Sequence, residues 1–190
     1  ISSYFDNSSK VIIKQDFSRG TIYDRNGQVL AATINSKSLY AEAIKIENAN
    51  IVLLQRLMHK APSYQGVNFD LELKDTTLTI NALGKSAHSW KPSDGINAIP
   101  YLADLLSDTR WAHNGPGTLV NFINDNIGLG LEGKKFGNIA YQDDFMGAMT
   151  FAPTVIKQHD KTIELNINLR RPQGKSGQQL TEEIHQAVTS

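Results

Sequence analysis

The stretch VNFDLELKDTTLTINA, residues 67–82, contains two runs in which apolar and polar side chains alternate strictly. The apolar positions are Val67, Phe69, Leu71 and Leu73 in the first run and Leu78, Ile80 and Ala82 in the second. Alternation of this kind is typical of a β-strand that buries one face, and the Asp75-Thr76 pair between the runs is a turn signal. The stretch therefore predicts an antiparallel pair of strands.

Helices are predicted on both sides of this strand pair. Upstream, apolar residues recur at helical spacing after two candidate N-caps, Asn48 and Asn50. That apolar stripe is Ile51, Leu54, Leu57 and Met58. Downstream, a helix is predicted at about residues 94–106, beginning at Asn97 if Pro100 is to lie in its first turn. Its stripe is Ile99, Leu102, Leu105 and Leu106. Helix–strand–strand–helix is the succession of a ferredoxin-like sandwich.

The outer parts of the chain add further strands. The Asn26-Gly27 pair between short apolar runs predicts a hairpin, and residues 38–46 predict another strand. Near the C-terminus, strands are predicted at about 149–157 and 162–169. A short helix is predicted around Leu119, between these two groups of strands.

The C-terminal segment predicts a helix that begins at Ser176, where Gln179 completes a capping box. The buried stripe of this helix is Leu180, Ile184 and Val188. Hairpins and helices alternate without regular β–α–β repeats, which predicts an α+β fold with helices covering one face of an antiparallel sheet. A loop-like stretch at 108–117 divides the chain into two predicted ferredoxin-like lobes, about 1–108 and 109–190.

Composition excludes several classes of partner. Lys and Arg number 19 and Asp and Glu number 19, so no net charge attracts nucleic acid or an anionic membrane. The chain has no cysteine, which excludes disulfides and thiolate metal sites and fits a reducing compartment. No apolar run is long enough for a membrane span. We therefore expect a cytoplasmic domain with neither nucleic acid nor membrane as partner.

Histidines and acidic pairs lack the spacing of a metal site. The histidines, none of which lies in a His-x-Asp or His-Glu-x-x-His pattern, are His59, His88, His113, His159 and His185. We interpret Glu182-Glu183 as a solvated helix face and Asp143-Asp144 as a turn. The sequence contains neither a Gly-x-Ser-x-Gly elbow nor a phosphate-binding loop motif. No metal ligands are therefore predicted within this chain.

Two segments hold the strongest candidates for chemistry. The segment GKSAHSWKPSDGINAI, residues 84–99, reads as a strand end, a loop that carries His88, and a helix start. The segment ELNINLRRPQG, residues 164–174, places Arg170 where a predicted strand ends. Taken alone, a loop histidine and a strand-end arginine are more often structural or exposed than functional.

Two further segments, together with the two just described, form an ordered set of four motifs along the chain. NSKSLYAEA, residues 35–43, begins with Asn35, and IAYQDDFMGAMT, residues 139–150, reads as a strand with a glycine bend. In this order along the chain, the four segments resemble the lid domain of M20-family metallopeptidases, especially the PepV-like (Xaa-His) dipeptidases. The chain departs from that pattern after Asn35, where the family's Val-Pro is absent, and at Arg171, which replaces the usual aromatic residue.

The resemblance implies a role for each site residue. His88 would hydrogen-bond the scissile carbonyl oxygen and support the oxyanion in the transition state. Arg170, which matches the family's arginine by register, would bind the C-terminal carboxylate of the peptide through two N–H groups. Asn35 would help to bind the substrate backbone. The resemblance also implies two zinc ions, held by a catalytic domain that this chain does not contain.

Residues 1–190 are therefore predicted to be the substrate-binding lid of a larger zinc-dependent dipeptidase. Its partners would be a short peptide and the catalytic domain of the same polypeptide, and the isolated chain would be inactive. An alternative is a free-standing ferredoxin-like module for dimerisation or ligand sensing. A sister M20 enzyme, such as an aminoacylase or a tripeptidase, would differ only in its substrate.

Overall fold

The computed structural model describes residues 22–23, 29–31, 41–87, 92–111, 115–159 and 162–189. Its strands are β1 (Ile22–Tyr23), β2 (Val29–Ala31), β3 (Ala41–Ile46), β4 (Asn68–Lys74), β5 (Thr77–Leu83), β6 (Gln142–Asp143), β7 (Gly147–Ala148), β8 (Thr150–Gln158) and β9 (Ile163–Arg170). Its α-helices are α1 (Ile51–Lys60), α2 (Ala98–Leu106), α3 (Gly115–Asn126) and α4 (Gly177–Thr189), and short 3-10 helices occupy Ala61–Ser63 and Pro92–Asp94. None of the helices in these ranges is long and apolar enough to cross a membrane.

The predicted strand pair forms the centre of a three-stranded antiparallel sheet with the order β3-β5-β4. Strands β4 and β5 pair as far as Lys74 and Thr77, so Asp75, at a φ of 54°, lies in the predicted turn. The inward side chains of β5, all fully buried, are Leu78, Ile80 and Ala82. This arrangement of antiparallel strands and helices confirms the α+β prediction.

The remaining strands form two-stranded antiparallel hairpins. The pair β1–β2 flanks the predicted Asn26-Gly27 turn, which itself lies outside the described residues, as does the run before residue 21. The pair β8–β9 confirms the two strands predicted near the C-terminus. The small pair β6–β7 encloses the predicted turn at Asp143-Asp144, with Gly147 at a φ of 77°.

Helix α2 lies between two apolar cores. The first core includes Leu57, Leu78, Ile80, Leu102, Leu105 and Leu106. The second includes Ile99, Ala103, Ile123, Phe151, Leu169 and Leu180. Because α2 contributes side chains to both cores, the two halves of the chain pack on a shared element. The division into lobes at about residue 108 stays a prediction.

Capping side chains fix the starts of the helices. Asn50 accepts a hydrogen bond from the Leu53 amide at 2.9 Å, which confirms it as the cap of α1. Ser176 accepts one from the Gln179 amide at 3.1 Å, the first half of the predicted capping box. Helix α3 begins at Gly115, inside the stretch predicted as a loop, because a proline in the first turn gives up no helical hydrogen bond.

The apolar stripes of α1 and α4 are only partly buried. Leu57 is 2% exposed as expected, but Ile51 and Met58 are 55% and 54% exposed. In α4, Leu180 is buried, whereas Val188 is 66% exposed. The prediction that Val188 is buried was therefore wrong. Helical spacing identifies an apolar face of a helix but not how far the neighbouring elements cover it.

Candidate functional site

An antiparallel β-bridge joins the chain before His88 to the chain after it. The Lys85 amide donates to the Ile96 carbonyl at 3.0 Å, and the Ile96 amide donates to the Lys85 carbonyl at 2.8 Å. His88 itself lies outside the described residues, as does Asn35. The bridge therefore pairs the chain just after β5 with the chain just before α2, on either side of the segment that carries His88.

Two glycines permit the close approach at this bridge. A Cβ atom at Gly84 would collide with the carbonyl oxygen of Ile96, and one at Gly95 would lie 2.5 Å from the carbonyl oxygen of Lys85. Both collisions are with backbone atoms, which cannot turn aside as a flexible side chain can. The absence of a side chain at Gly84 and Gly95 therefore allows the two chain segments at the bridge to approach each other closely.

Asn97 joins the returning end of this loop to the β8–β9 hairpin. Its side chain is buried, and Oδ1 accepts a hydrogen bond from the Ile99 amide at 3.1 Å, which confirms Asn97 as the start of α2. Its Nδ2 donates to the Pro153 carbonyl of β8 at 2.7 Å. One buried amide thus ties the segment after His88 to the hairpin that ends at Arg170.

Replacing Asn97 by alanine is expected to lower the free energy of unfolding by about 1–3 kcal/mol, because two buried backbone groups lose their partner. Urea denaturation of the chain measures this change. Asn97→Ser keeps an oxygen for the helix cap but is too short to reach the Pro153 carbonyl. The stability of this variant should therefore lie between those of the wild type and the alanine variant. An alanine variant as stable as the wild type would contradict the role of this amide.

Arg170 is the last residue of β9 and pairs directly with Thr150, the first residue of β8. Directly opposed residues of an antiparallel pair lie on the same face, with Cβ atoms about 4.5–5.5 Å apart. The next pair, Phe151 and Leu169, lies on the opposite face and is buried in the second core. Arg170 and Thr150 therefore share the face of the hairpin that points away from that core.

A cleft of about 400 Å³ adjoins this face. Its lining includes Pro92, Ile96, Leu131, Glu132, Met146 and Thr150. These residues come from the returning half of the His88 loop, the glycine-rich stretch after α3, the β6–β7 turn and the start of β8. The Thr150 hydroxyl oxygen is buried and has no hydrogen-bond partner within the described ranges. Segments indicated by separate sequence motifs thus meet around one concavity.

The β6–β7 turn holds the chain that follows Arg170. The Asp143 carboxylate accepts hydrogen bonds from the Phe145 and Met146 amides at 2.7 and 2.6 Å, and from the Gln173 amide at 2.7 Å. These bonds, that of Met146 most of all, hold the pKa of Asp143 below its ordinary value. The ionised carboxylate therefore keeps the three bonds until the pH falls through this lowered pKa.

Further contacts fix the same loop. The Tyr141 hydroxyl donates to the Pro172 carbonyl at 2.8 Å, and Arg171 Nη1 donates to the Lys175 carbonyl. Lys175 Nζ in turn pairs with Glu183 at 2.6 Å and lies 5.1 Å from the centroid of the Tyr141 ring. The Glu183 side chain is only 20% exposed, so its interpretation as a solvated position was wrong.

The described ranges contain no cluster of three or more His, Asp or Glu side chains that could hold a metal ion. The sequence indicated Asp143 as a turn residue, which is correct, but not its bond to Gln173. Tyr141 and Lys175 gave no sequence signal of their own. Their contacts depend on how the hairpins pack, which no local pattern encodes.

Comparison with protein families identifies the class of the chain. Residues 76–190, more than half of the chain, match the family model described as a peptidase dimerisation domain, of the M20 family. The chain belongs to this family. The matched part extends from the turn before β5 to the end of the chain, so it includes His88 and Arg170, whereas Asn35 precedes it. No curated protein matches the chain in a direct comparison.

Proposed function

We propose that this chain is the substrate-binding lid of a zinc-dependent M20 dipeptidase that hydrolyses short peptides in the cytoplasm. The observation that carries the proposal is the register of β8 and β9, which pairs Arg170 with Thr150, a residue that lines the cleft. The returning half of the His88 loop forms another wall of the same cleft. A peptide bound there would contact the chain that follows His88 and also Thr150, the strand partner of Arg170.

Arg170 would bind the C-terminal carboxylate of the peptide. Its planar guanidinium can donate two parallel N–H bonds to the two carboxylate oxygens. The neighbouring Arg171 donates to the Lys175 carbonyl and so helps to hold the loop. Arg170 is assigned to the substrate because it matches the family's arginine by register.

His88 would donate a hydrogen bond to the scissile carbonyl oxygen, and Asn35 would bind the peptide backbone. The fixed base of the His88 loop supports this role, because a hydrogen-bond donor stabilises an oxyanion only when its position is set before the reaction. We place the zinc ligands in a catalytic domain outside this chain, since the described residues offer no set of ligands that fits the ions.

A second candidate function is self-association without catalysis. The supporting observation is a group of exposed apolar side chains on α1, namely Ile51, Val52 and Met58. A second copy of the chain could cover this face, and a dimerisation domain fits association with a partner chain or a catalytic domain. Sedimentation equilibrium of the chain and of its Val52→Glu variant distinguishes a dimer formed through α1 from a monomer.

Hydrolysis of the dipeptide alanyl-histidine by the native protein tests the main proposal. The native protein, isolated from its source cells and weighed by mass spectrometry, is expected to be larger than this chain and to cleave the dipeptide. The isolated 190-residue chain is expected to cleave none. A native protein of the same mass as the chain, or one without peptidase activity, would contradict the proposal and leave association as its function.

A further inference from the structure

We propose that Asp143 is a positioning residue for Arg170, and this inference rests on the proposed function of Arg170 as the carboxylate-binding group. Asp143 Oδ2 accepts the Gln173 amide, three residues beyond Arg170, at 2.7 Å. Its Oδ1 accepts the Phe145 and Met146 amides. One carboxylate therefore joins the turn to the chain that follows Arg170.

The β6–β7 turn and the chain after Arg170 are joined directly by the bond from Gln173 to Asp143. Met146 lines the cleft, and Arg170 ends the strand whose partner, Thr150, lines the same cleft. A shift between turn and loop would change the distance between the cleft wall and the guanidinium. Asp143 opposes that shift because charge-assisted bonds to backbone amides are shorter and stronger than neutral ones.

Other contacts act on the same loop but do not replace this one. The Tyr141 hydroxyl holds the Pro172 carbonyl, and Lys175 connects the end of the loop to Glu183 of α4. Neither contact reaches the Phe145 and Met146 amides of the turn. Among the described residues, the Asp143 carboxylate is thus the group that bonds the turn and the loop simultaneously.

Asp143→Asn separates these two connections. The asparagine oxygen can still accept the turn amides, but its NH₂ group faces the Gln173 amide as a second donor and cannot accept from it. The turn is expected to persist while the loop is released. Asp144→Asn is the matched control, because the neighbouring carboxylate makes none of the three bonds described for Asp143.

Steady-state hydrolysis of alanyl-histidine by the native full-length protein measures the effect. Asp143→Asn is expected to raise KM roughly tenfold with kcat nearly unchanged, the pattern of lost uniform binding. Asp144→Asn should leave both constants unchanged. A purely structural role would instead lower the fraction of folded enzyme and hence the apparent kcat, while KM stayed constant.

A double-mutant cycle with Arg170→Ala decides whether Asp143 acts through the arginine. The inference predicts that Asp143→Asn has no further effect on KM once Arg170 is alanine. Two outcomes would contradict the inference while the role of Arg170 stands. In the first, Arg170→Ala raises KM but Asp143→Asn does not. In the second, both replacements raise KM, and in the double mutant the two increases multiply as independent factors. If Arg170→Ala leaves KM unchanged, the proposed function of Arg170 falls, and the inference falls with it.

Discussion

Replacing His88 by alanine in the native protein is expected to lower kcat for dipeptide hydrolysis by roughly 10²- to 10³-fold, the usual cost of removing one oxyanion donor. The proposed bond forms where negative charge develops, so the loss should appear in kcat more than in KM. Steady-state kinetics measures both constants. Metal content, determined on the same samples, should not change, because His88 is not proposed as a ligand.

His59→Ala is the matched control for this experiment. His59 is an exposed residue of α1, a helix that contributes no residue to the lining of the cleft. Its replacement should leave kcat and KM at their wild-type values. A His88 variant with wild-type turnover would remove His88 from the chemistry and leave its loop with a structural role alone.

Replacing Arg170 by alanine is expected to lower kcat/KM for a free dipeptide by roughly 10- to 100-fold, the size of one lost hydrogen-bonded charge pair. The reason is that the peptide carboxylate would lose a planar guanidinium that can donate two parallel N–H bonds to it. Arg170→Lys should recover part of the loss, because an ammonium restores the charge but not the paired geometry.

Arg56→Ala serves as the control for the arginine experiment. Arg56 lies on α1, and its guanidinium donates to the Thr109 hydroxyl at 2.7 Å, far in the chain from the β8–β9 hairpin. This variant should retain the kinetic constants of the wild type. An Arg170→Ala enzyme with an unchanged kcat/KM would contradict carboxylate binding by this residue.

The strands could be predicted from the sequence because their signal is local. Strict alternation in residues 67–82 requires one buried face, and the structure buries Leu78, Ile80 and Ala82 completely. The caps Asn50 and Asn97 could equally be predicted from the sequence, since a capping side chain bonds an amide only two or three residues away. Such contacts depend on neighbouring residues alone.

The exposed positions of α1 and the start of α3 could not be predicted in the same way. Whether Met58 is buried depends on what packs against α1, and that is set by residues remote in the chain. The pair Gly115-Pro116 is typical of a loop, yet it forms the first turn of α3. Tertiary packing overrides local preference at such positions.

The site was predictable in its parts but not in its assembly. Motifs indicated the His88 loop, the turn at Asp143 and the strand end at Arg170 separately. Their meeting depends on the pairing of Arg170 with Thr150 and on the reach of Asn97 to the Pro153 carbonyl. Both are long-range contacts, and one residue of slip in the β8–β9 register would move Arg170 to the opposite face.

The most direct test of the account compares alanyl-histidine with its C-terminal amide as substrates of the native protein and of its Arg170→Ala variant. The measured quantity is the ratio of kcat/KM for the free dipeptide to kcat/KM for the amide. If Arg170 binds the carboxylate, the wild type should strongly prefer the free dipeptide and the variant should lose that preference. An equal ratio in the two proteins would show that this chain does not bind the peptide carboxylate.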